Sequence, residues 1–232
     1  MSQIFNSHSQ RDEGIKSFFY RAFSGTSVLP IWQEYEERPS RPVDEEIERK
    51  IEASSAVFVL LSEKVESLPH TRDWILWECG KATDKDVWVF EPYESLGKVT
   101  VAIPRFKHYV RYHRNQEWRD YINSIIRSYD NSSLLGWAGA GAGIGAAVSP
   151  EDRGGGALLG SIVGAIVESV VRPTAPTGTP VTCLNCYYAY GVHIPGNRGP
   201  FRCAKCNNRM ELVDLPATGY LPNTPQWAGQ MR

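Results

Sequence analysis

The chain has no run of about twenty apolar residues, the length a helix needs to cross a bilayer. Its opening residues, Met1-Ser2-Gln3-Ile4-Phe5-Asn6, lack a basic segment followed by an apolar one, so no secretory signal is read there and a cytoplasmic location is expected. Neither sign of charge is in excess. With 25 basic and 26 acidic residues the formal charge is −1, and nothing global demands a nucleic-acid partner. Cysteine is scarce, five in 232 residues, but four of the five fall into two C-x-x-C pairs near the end. In an intracellular chain that spacing argues for metal before disulfides. The fifth, Cys79, reads as a small packed residue. What remains is apolar enough for one ordinary domain of about 130 residues plus smaller modules.

Apolar and polar segments alternate through the first 130 residues. Strands are expected near 3–7 and 28–32, with a helix over 12–24. A helix over 44–54 places Ile47 and Ile51 four apart on a core face. The run 56–61 is continuously apolar and rich in β-formers, as expected of a central parallel strand covered on both faces. A helix over 72–82 follows, then strands over 87–90 and 99–103, and an amphipathic helix over 115–129. Such alternation indicates an α/β fold, a parallel sheet wrapped by helices, with a flavodoxin-like order as the natural arrangement.

Trp74-Ile75-Leu76-Trp77-Glu78 follows the 56–61 run and lies well after an opening Ile4-Phe5-Asn6-Ser7-His8-Ser9-Gln10-Arg11-Asp12. Residues four apart share a helix face, so Trp74 and Glu78 present an aromatic plane beside a carboxylate, a pair suited to a nucleotide-sugar substrate. In this order and setting the residues resemble the TIR (Toll/interleukin-1 receptor) domain, specifically its prokaryotic NAD-consuming branch, whose W-x-x-x-E helix supplies the catalytic glutamate. The resemblance covers about the first 130 residues and implies a flavodoxin-like five-stranded parallel sheet, with NAD+ as substrate. Glu78 matches the glutamate that holds the ribose hydroxyls and stabilises positive charge as the N-glycosidic bond breaks. Trp74 matches the tryptophan that lines the ribose and influences whether ADP-ribose closes on itself. Phe5 matches an aromatic that stacks on the substrate; packing in the core is the alternative for both rings. Ser7 and His8, which follow Phe5, are further candidates for substrate binding. His8 and Ser9 as phosphate contacts are explained equally well by turn formation.

The stretch from Trp32 to Ile47 departs from that family. It is longer than usual and lacks the glycine often found in the loop after the second strand, which gates the cleft and contacts neighbouring subunits in TIR assemblies. Glu34 and Tyr35 are its candidate cleft residues; Glu34, Glu36 and Glu37 read alternatively as a solvated edge.

Composition changes after Asp130. Over 134–148 there is no charged residue and Gly and Ala dominate; 157–167 is a second apolar run, with Pro150-Glu151-Asp152-Arg153 between them. Gly156, Gly160 and Gly164 recur every fourth position, which on a helix makes a flat face for close approach of another backbone. The segment 131–172 therefore reads as a glycine-zipper helical hairpin serving oligomerisation or membrane contact, with a flexible linker as the bland alternative. A semi-stiff linker over 173–180 leads to the cysteines. Cys183 and Cys186 are separated from Cys203 and Cys206 by sixteen residues that include the turn formers Pro195-Gly196-Asn197-Arg198-Gly199-Pro200. The segment 181–215 resembles a small β zinc ribbon with a single structural Zn2+ on the four thiolates, and 216–232 is a tail. His193 is a nearby alternative ligand. Arg198, Arg202, Lys205 and Arg209 beside Tyr187, Tyr188 and Tyr190 leave the ribbon's partner open between nucleic acid and protein.

Two functions follow as expectations. The first is a TIR-type NAD+ glycohydrolase or ADP-ribosyl cyclase, activated by self-association through the TIR domain and the hairpin and serving antiviral defence or signalling. The second is a non-catalytic TIR adaptor with the hairpin as membrane anchor. Retention of both Trp74 and Glu78 favours the enzyme.

Overall fold

A computed structural model describes residues 1–32, 43–67, 69–130 and 175–212. The expected hairpin over 131–172 and the tail over 216–232 lie outside the described residues, as do Glu34 and Tyr35.

Strand β1 (Gln3–Ser7) leads into helix α1 (Glu13–Phe23). The helix begins where the Asp12 side chain accepts from the Ile15 N–H at 3.0 Å, an N-cap that satisfies one of the free amides of the first turn. Its buried residues, Ile15, Phe18, Phe19, Ala22 and Phe23, keep the three-to-four spacing of one face. Strand β2 (Leu29–Trp32), helix α2 (Val43–Ala53) and strand β3 (Ala56–Leu60) follow. In β3 every residue is buried, and alternate side chains feed two cores: Val57 and Val59 face one, Ala56, Phe58 and Leu60 the other. A short helix α3 (Glu63–Glu66) precedes α4 (Pro69–Lys81). Strand β4 (Asp86–Pro92), strand β5 (His108–Tyr112) and helix α5 (Gln116–Arg127) complete the first part. Asn115 caps α5 by accepting from the Trp118 N–H at 3.0 Å.

After residue 175 the chain forms two hairpins, β6 (Thr179–Thr182) with β7 (Ala189–His193), and β8 (Gly199–Arg202) with β9 (Arg209–Leu212). The first joins the main sheet. Strand β7 lies parallel to β5, pairing Tyr109 with Val192, so the sheet has seven strands in the order β2-β1-β3-β4-β5-β7-β6, parallel except for β6. The expectation of five strands is corrected to seven, because the edge of β5 is paired by the cysteine module and not left open. The order β2-β1-β3-β4-β5 within it is the flavodoxin-like one.

A second correction concerns 99–103. Val99, Val101 and Ile103 do alternate into the core, but the segment bonds to no strand of the sheet. Its backbone groups are taken by other partners: Glu66 Oε1 accepts from the N–H of Thr100 and of Val101, the Val101 carbonyl accepts from Arg202, and the Ile103 N–H donates to the Ala204 carbonyl. The fifth parallel strand is His108–Tyr112, whose polar residues are buried: His108 stacks on Trp88 with ring centres 3.8 Å apart.

Two glycines make the β5–β7 junction possible. A Cβ on Gly191 would lie 2.2 Å from the Thr177 carbonyl oxygen, and Gly178, with φ of +67°, passes so close to His193 that a Cβ would fall 2.6 Å from its Nε2. Among the described residues no helix is long and apolar enough to cross a membrane.

Candidate functional site

In a sheet of this order the connections from β1 and β3 leave on opposite faces, which opens a crevice at the carboxyl ends of these two strands. Ser7 ends β1 there. Its Oγ donates to Oε2 of Glu78, which α4 brings in from 71 residues away in sequence. Both residues are buried, Ser7 to 1% exposure and Glu78 to 2%. Next to it, Cys79 is wholly buried; burial first, and the Glu78 charge second, push its thiol well above the ordinary range. It is therefore protonated and packed, not nucleophilic.

Trp74 lies one turn before Glu78 on α4, half-buried against the core and edge-on to Trp77, with ring centres 5.3 Å apart. The sequence places Trp74 and Glu78 on one helix face, and α4 holds them so. His8 follows β1 and is almost covered; its Nδ1 lies 3.2 Å from the Asn6 carbonyl oxygen, and its ring meets Trp32 edge-on at 5.1 Å. Trp32, at the end of β2, also packs against Tyr20 at 4.8 Å, so a tryptophan outside the W-x-x-x-E motif covers the His8 ring. Phe5 is wholly buried within the core between the sheet and α2 and α4. Its ring has no face open to a substrate, so stacking on NAD+ is replaced by a packing role in this conformation. The sequence pattern brings Ser7, Glu78, Trp74 and His8 to one end of the sheet; Glu34 and Tyr35 fall outside the described residues.

The second candidate site is the cysteine cluster. One sulfur from each of Cys183, Cys186, Cys203 and Cys206 lies within 4.8 Å of the others, and the closest pairs are Cys183 with Cys206 at 3.6 Å and Cys186 with Cys203 at 3.7 Å. These spacings are far beyond a sulfur–sulfur bond and match the edge of a tetrahedron around zinc, about 3.8 Å for metal–sulfur bonds near 2.3 Å. The two knuckles share one backbone design. Tyr187 and Asn207, each four residues past the first cysteine of its pair, take positive φ of 55° and 63°, and each donates its N–H to the carbonyl of that first cysteine at 2.8 Å. The four cysteines thus fit a closed tetrahedral metal site. His193 is not in the cluster.

His193 belongs to a third group, buried at the β5–β7 seam. Its Nδ1 meets the Tyr121 hydroxyl at 2.5 Å and its Nε2 meets His108 Nδ1 at 3.2 Å. Burial lowers both imidazoles, His108 to about 4 and His193 to about 3, so both are neutral at pH 7. The basic and aromatic residues of the ribbon divide likewise. Arg202 is buried in an ion pair with Glu91 at 2.7 Å, Tyr190 is buried, and the Tyr188 hydroxyl donates to the Phe106 carbonyl. Arg198, Arg209 and Tyr187 remain exposed.

The fold is thus α/β with a mostly parallel sheet, carrying a buried carboxylate at the sheet's switch point and a four-cysteine metal-binding arrangement. No family model matches the chain, and no curated protein matches it.

Proposed function

We propose that the chain is an NAD+ hydrolase or cyclase of the TIR type, releasing nicotinamide and forming ADP-ribose or a cyclic isomer. The observation that carries this reading is Glu78, delivered by α4 to the end of β1 and bonded to Ser7, with Trp74 one turn away. Breaking the bond from ribose to nicotinamide creates an oxocarbenium-like centre, and a carboxylate fixed beside it acts most strongly as that charge develops. The bonding pair leaves with nicotinamide, which is cationic beforehand and needs no proton. One carboxylate therefore suffices, and water or a ring nitrogen of the adenine completes the exchange. In this reading Trp74 lines the ribose, while Ser7 and His8 shape the floor of the cleft.

The four cysteines hold one structural Zn2+ with no open position. Self-association through the TIR-like part and the 131–172 segment activates the enzyme, in antiviral defence or signalling. If Gly156, Gly160 and Gly164 let helices of different chains pack closely, Gly160→Leu should separate them, and oligomer size by light scattering and NAD+ turnover should fall together. Full assembly and full activity in that variant defeat the zipper.

The depth of Glu78 favours one second reading, a structural carboxylate in a non-catalytic TIR adaptor. Nicotinamide release by wild-type protein and by Glu78→Gln separates the two.

A further inference from the structure

The second cysteine knuckle is joined to the helix that carries Glu78 by an unbroken series of contacts. Asn207 follows Cys206, and its position is set by the bond from its N–H to the Cys203 carbonyl. Its side chain works in two directions: Oδ1 accepts from Arg202 Nη1 at 2.7 Å, and Nδ2 donates to the Thr100 carbonyl. Arg202, next to Cys203, donates from the same Nη1 to the Val101 carbonyl at 3.1 Å and from Nε to Glu91 at 2.7 Å. The 100–101 backbone is thus held on its carbonyl side by the ribbon. On its amide side it is held by Glu66, whose Oε1 accepts from Thr100 N at 2.5 Å and from Val101 N at 2.7 Å. Glu66 Oε2 faces Arg72 of α4 at 3.9 Å, and Lys98 pairs with Glu63 of α3 at 2.5 Å. Val65 of α3, Ile75 of α4, and Val99, Val101 and Ile103 share one core, against which Trp74 packs.

The other knuckle provides an internal comparison. Tyr187 occupies the position equivalent to Asn207, with the same positive φ, and both residues are exposed, Tyr187 to 80%. The knuckle backbone is thus the same with a tyrosine or an asparagine at this position, and the two side-chain bonds of Asn207 to Arg202 and Thr100 are an addition to it.

We infer that Arg202 and Asn207 are positioning residues through which metal at the four cysteines fixes the 99–103 segment, α3 and the start of α4, and so sets the placement of Trp74 and Glu78. This regulation rests on the reading of Glu78 as catalytic. The metal acts at a distance: it holds the knuckle, the knuckle holds Asn207 and Arg202, and these hold a segment that no strand pairs with. Loss of metal would release that segment while leaving the parallel strands β1 to β5 in place.

The test uses the full chain, with hydrogen exchange followed by mass spectrometry alongside zinc content and NAD+ turnover. Asn207→Gly keeps a residue suited to positive φ and removes only the side-chain bonds. It should retain one zinc per chain, yet exchange at 99–103 and the first turns of α4 should quicken about fivefold to tenfold, the loss of one or two hydrogen bonds. Nicotinamide release should fall with it. Glu66→Ala, which removes the acceptor of both amides and touches no ribbon residue, should reproduce both effects, and chelation of the wild type should produce the same exchange pattern more strongly. Unchanged exchange at 99–103 and α4 in Asn207→Gly and in chelated protein overturns the inference. So does faster exchange with undiminished turnover. A wild type that releases no nicotinamide defeats the catalytic reading instead, and the exchange data still decide the mechanical link.

Discussion

The hydroxyl of Ser7, the last residue of β1, donates to the carboxylate of Glu78 across 71 residues of sequence. Such a bond fixes which way a buried carboxylate points. Bonds to charged partners contribute about 1.5–3 kcal/mol, so Ser7→Ala should leave the fold intact and lower NAD+ turnover roughly tenfold or more. Steady-state rates on protein with an unchanged circular dichroism spectrum check this; an unaltered rate assigns Ser7 to packing alone.

Metal removal should lower the stability of the sheet as well as that of the ribbon, although the sheet stays folded. Because β7 pairs with β5 and the ribbon shares the core of the first part, metal removal should destabilise the whole molecule and not a tethered module. Wild-type protein should contain about one zinc per chain, and Cys203→Ser with Cys206→Ser should contain none. Thermal unfolding followed separately by far-ultraviolet signal and tryptophan fluorescence should shift down by the same amount in that variant. An unshifted fluorescence transition would make the ribbon an independent unit.

The seam between β5 and β7 carries a pH dependence of predictable sign. Burial lowers His108 to about 4 and His193 to about 3, His193 being further lowered by His108, while Asp86 opposes and Lys107 reinforces the shift of His108. Unfolding frees both imidazoles to take up protons near their ordinary value of about 6.5. Stability is therefore full above about pH 6.5 and declines as pH falls from there toward 3. Urea midpoints at pH 7, 5 and 4 should fall steadily, and less steeply in His193→Gln. Carboxylates held low, such as Glu66, add acid sensitivity of their own: burial alone would raise Glu66, but the backbone amides of Thr100 and Val101 outweigh it. The difference between wild type and His193→Gln isolates the imidazole contribution.

Gly191→Ala should be costly. The added methyl would meet the Thr177 carbonyl at 2.2 Å and His108 Nδ1 at 3.0 Å, contacts that backbone can relieve only by moving. A loss of about 1–3 kcal/mol is expected, measured as a shift in denaturation midpoint. Gly80, whose Cβ would meet open space, should tolerate alanine and serves as the control.

Legibility in the sequence tracked how local the determining physics is. Helix α1 and helix α5 are written in their caps and in a single apolar face, and β3 in its unbroken apolar run, so all three stand close to where periodicity places them. The C-x-x-C spacing is likewise local, and the sulfurs converge. Strand β5 is hidden because His108 and Arg111 interrupt its apolar pattern; only the fold reveals that Trp88 covers the first and Tyr93 lies 3.8 Å under the second. The 99–103 segment has the alternation of a strand, and side chains of Glu66, Arg202 and Asn207 take the bonds a neighbouring strand would have made. The docking of the ribbon on β5 depends on Gly178 and Gly191, which in sequence look like ordinary turn and linker glycines. Phe5 matches a substrate-stacking position in the resemblance, yet it sits in the core because strand β1 is covered on both faces.

Nicotinamide release from NAD+, followed by chromatography and mass spectrometry on wild type and on Glu78→Gln, tests the proposed chemistry most directly. The amide keeps the shape of the side chain but cannot offset the developing ribosyl cation, so wild type should release nicotinamide and the variant should be slower by about a hundredfold or more. Equal release from both folded proteins, or none from assembled wild type, would contradict it.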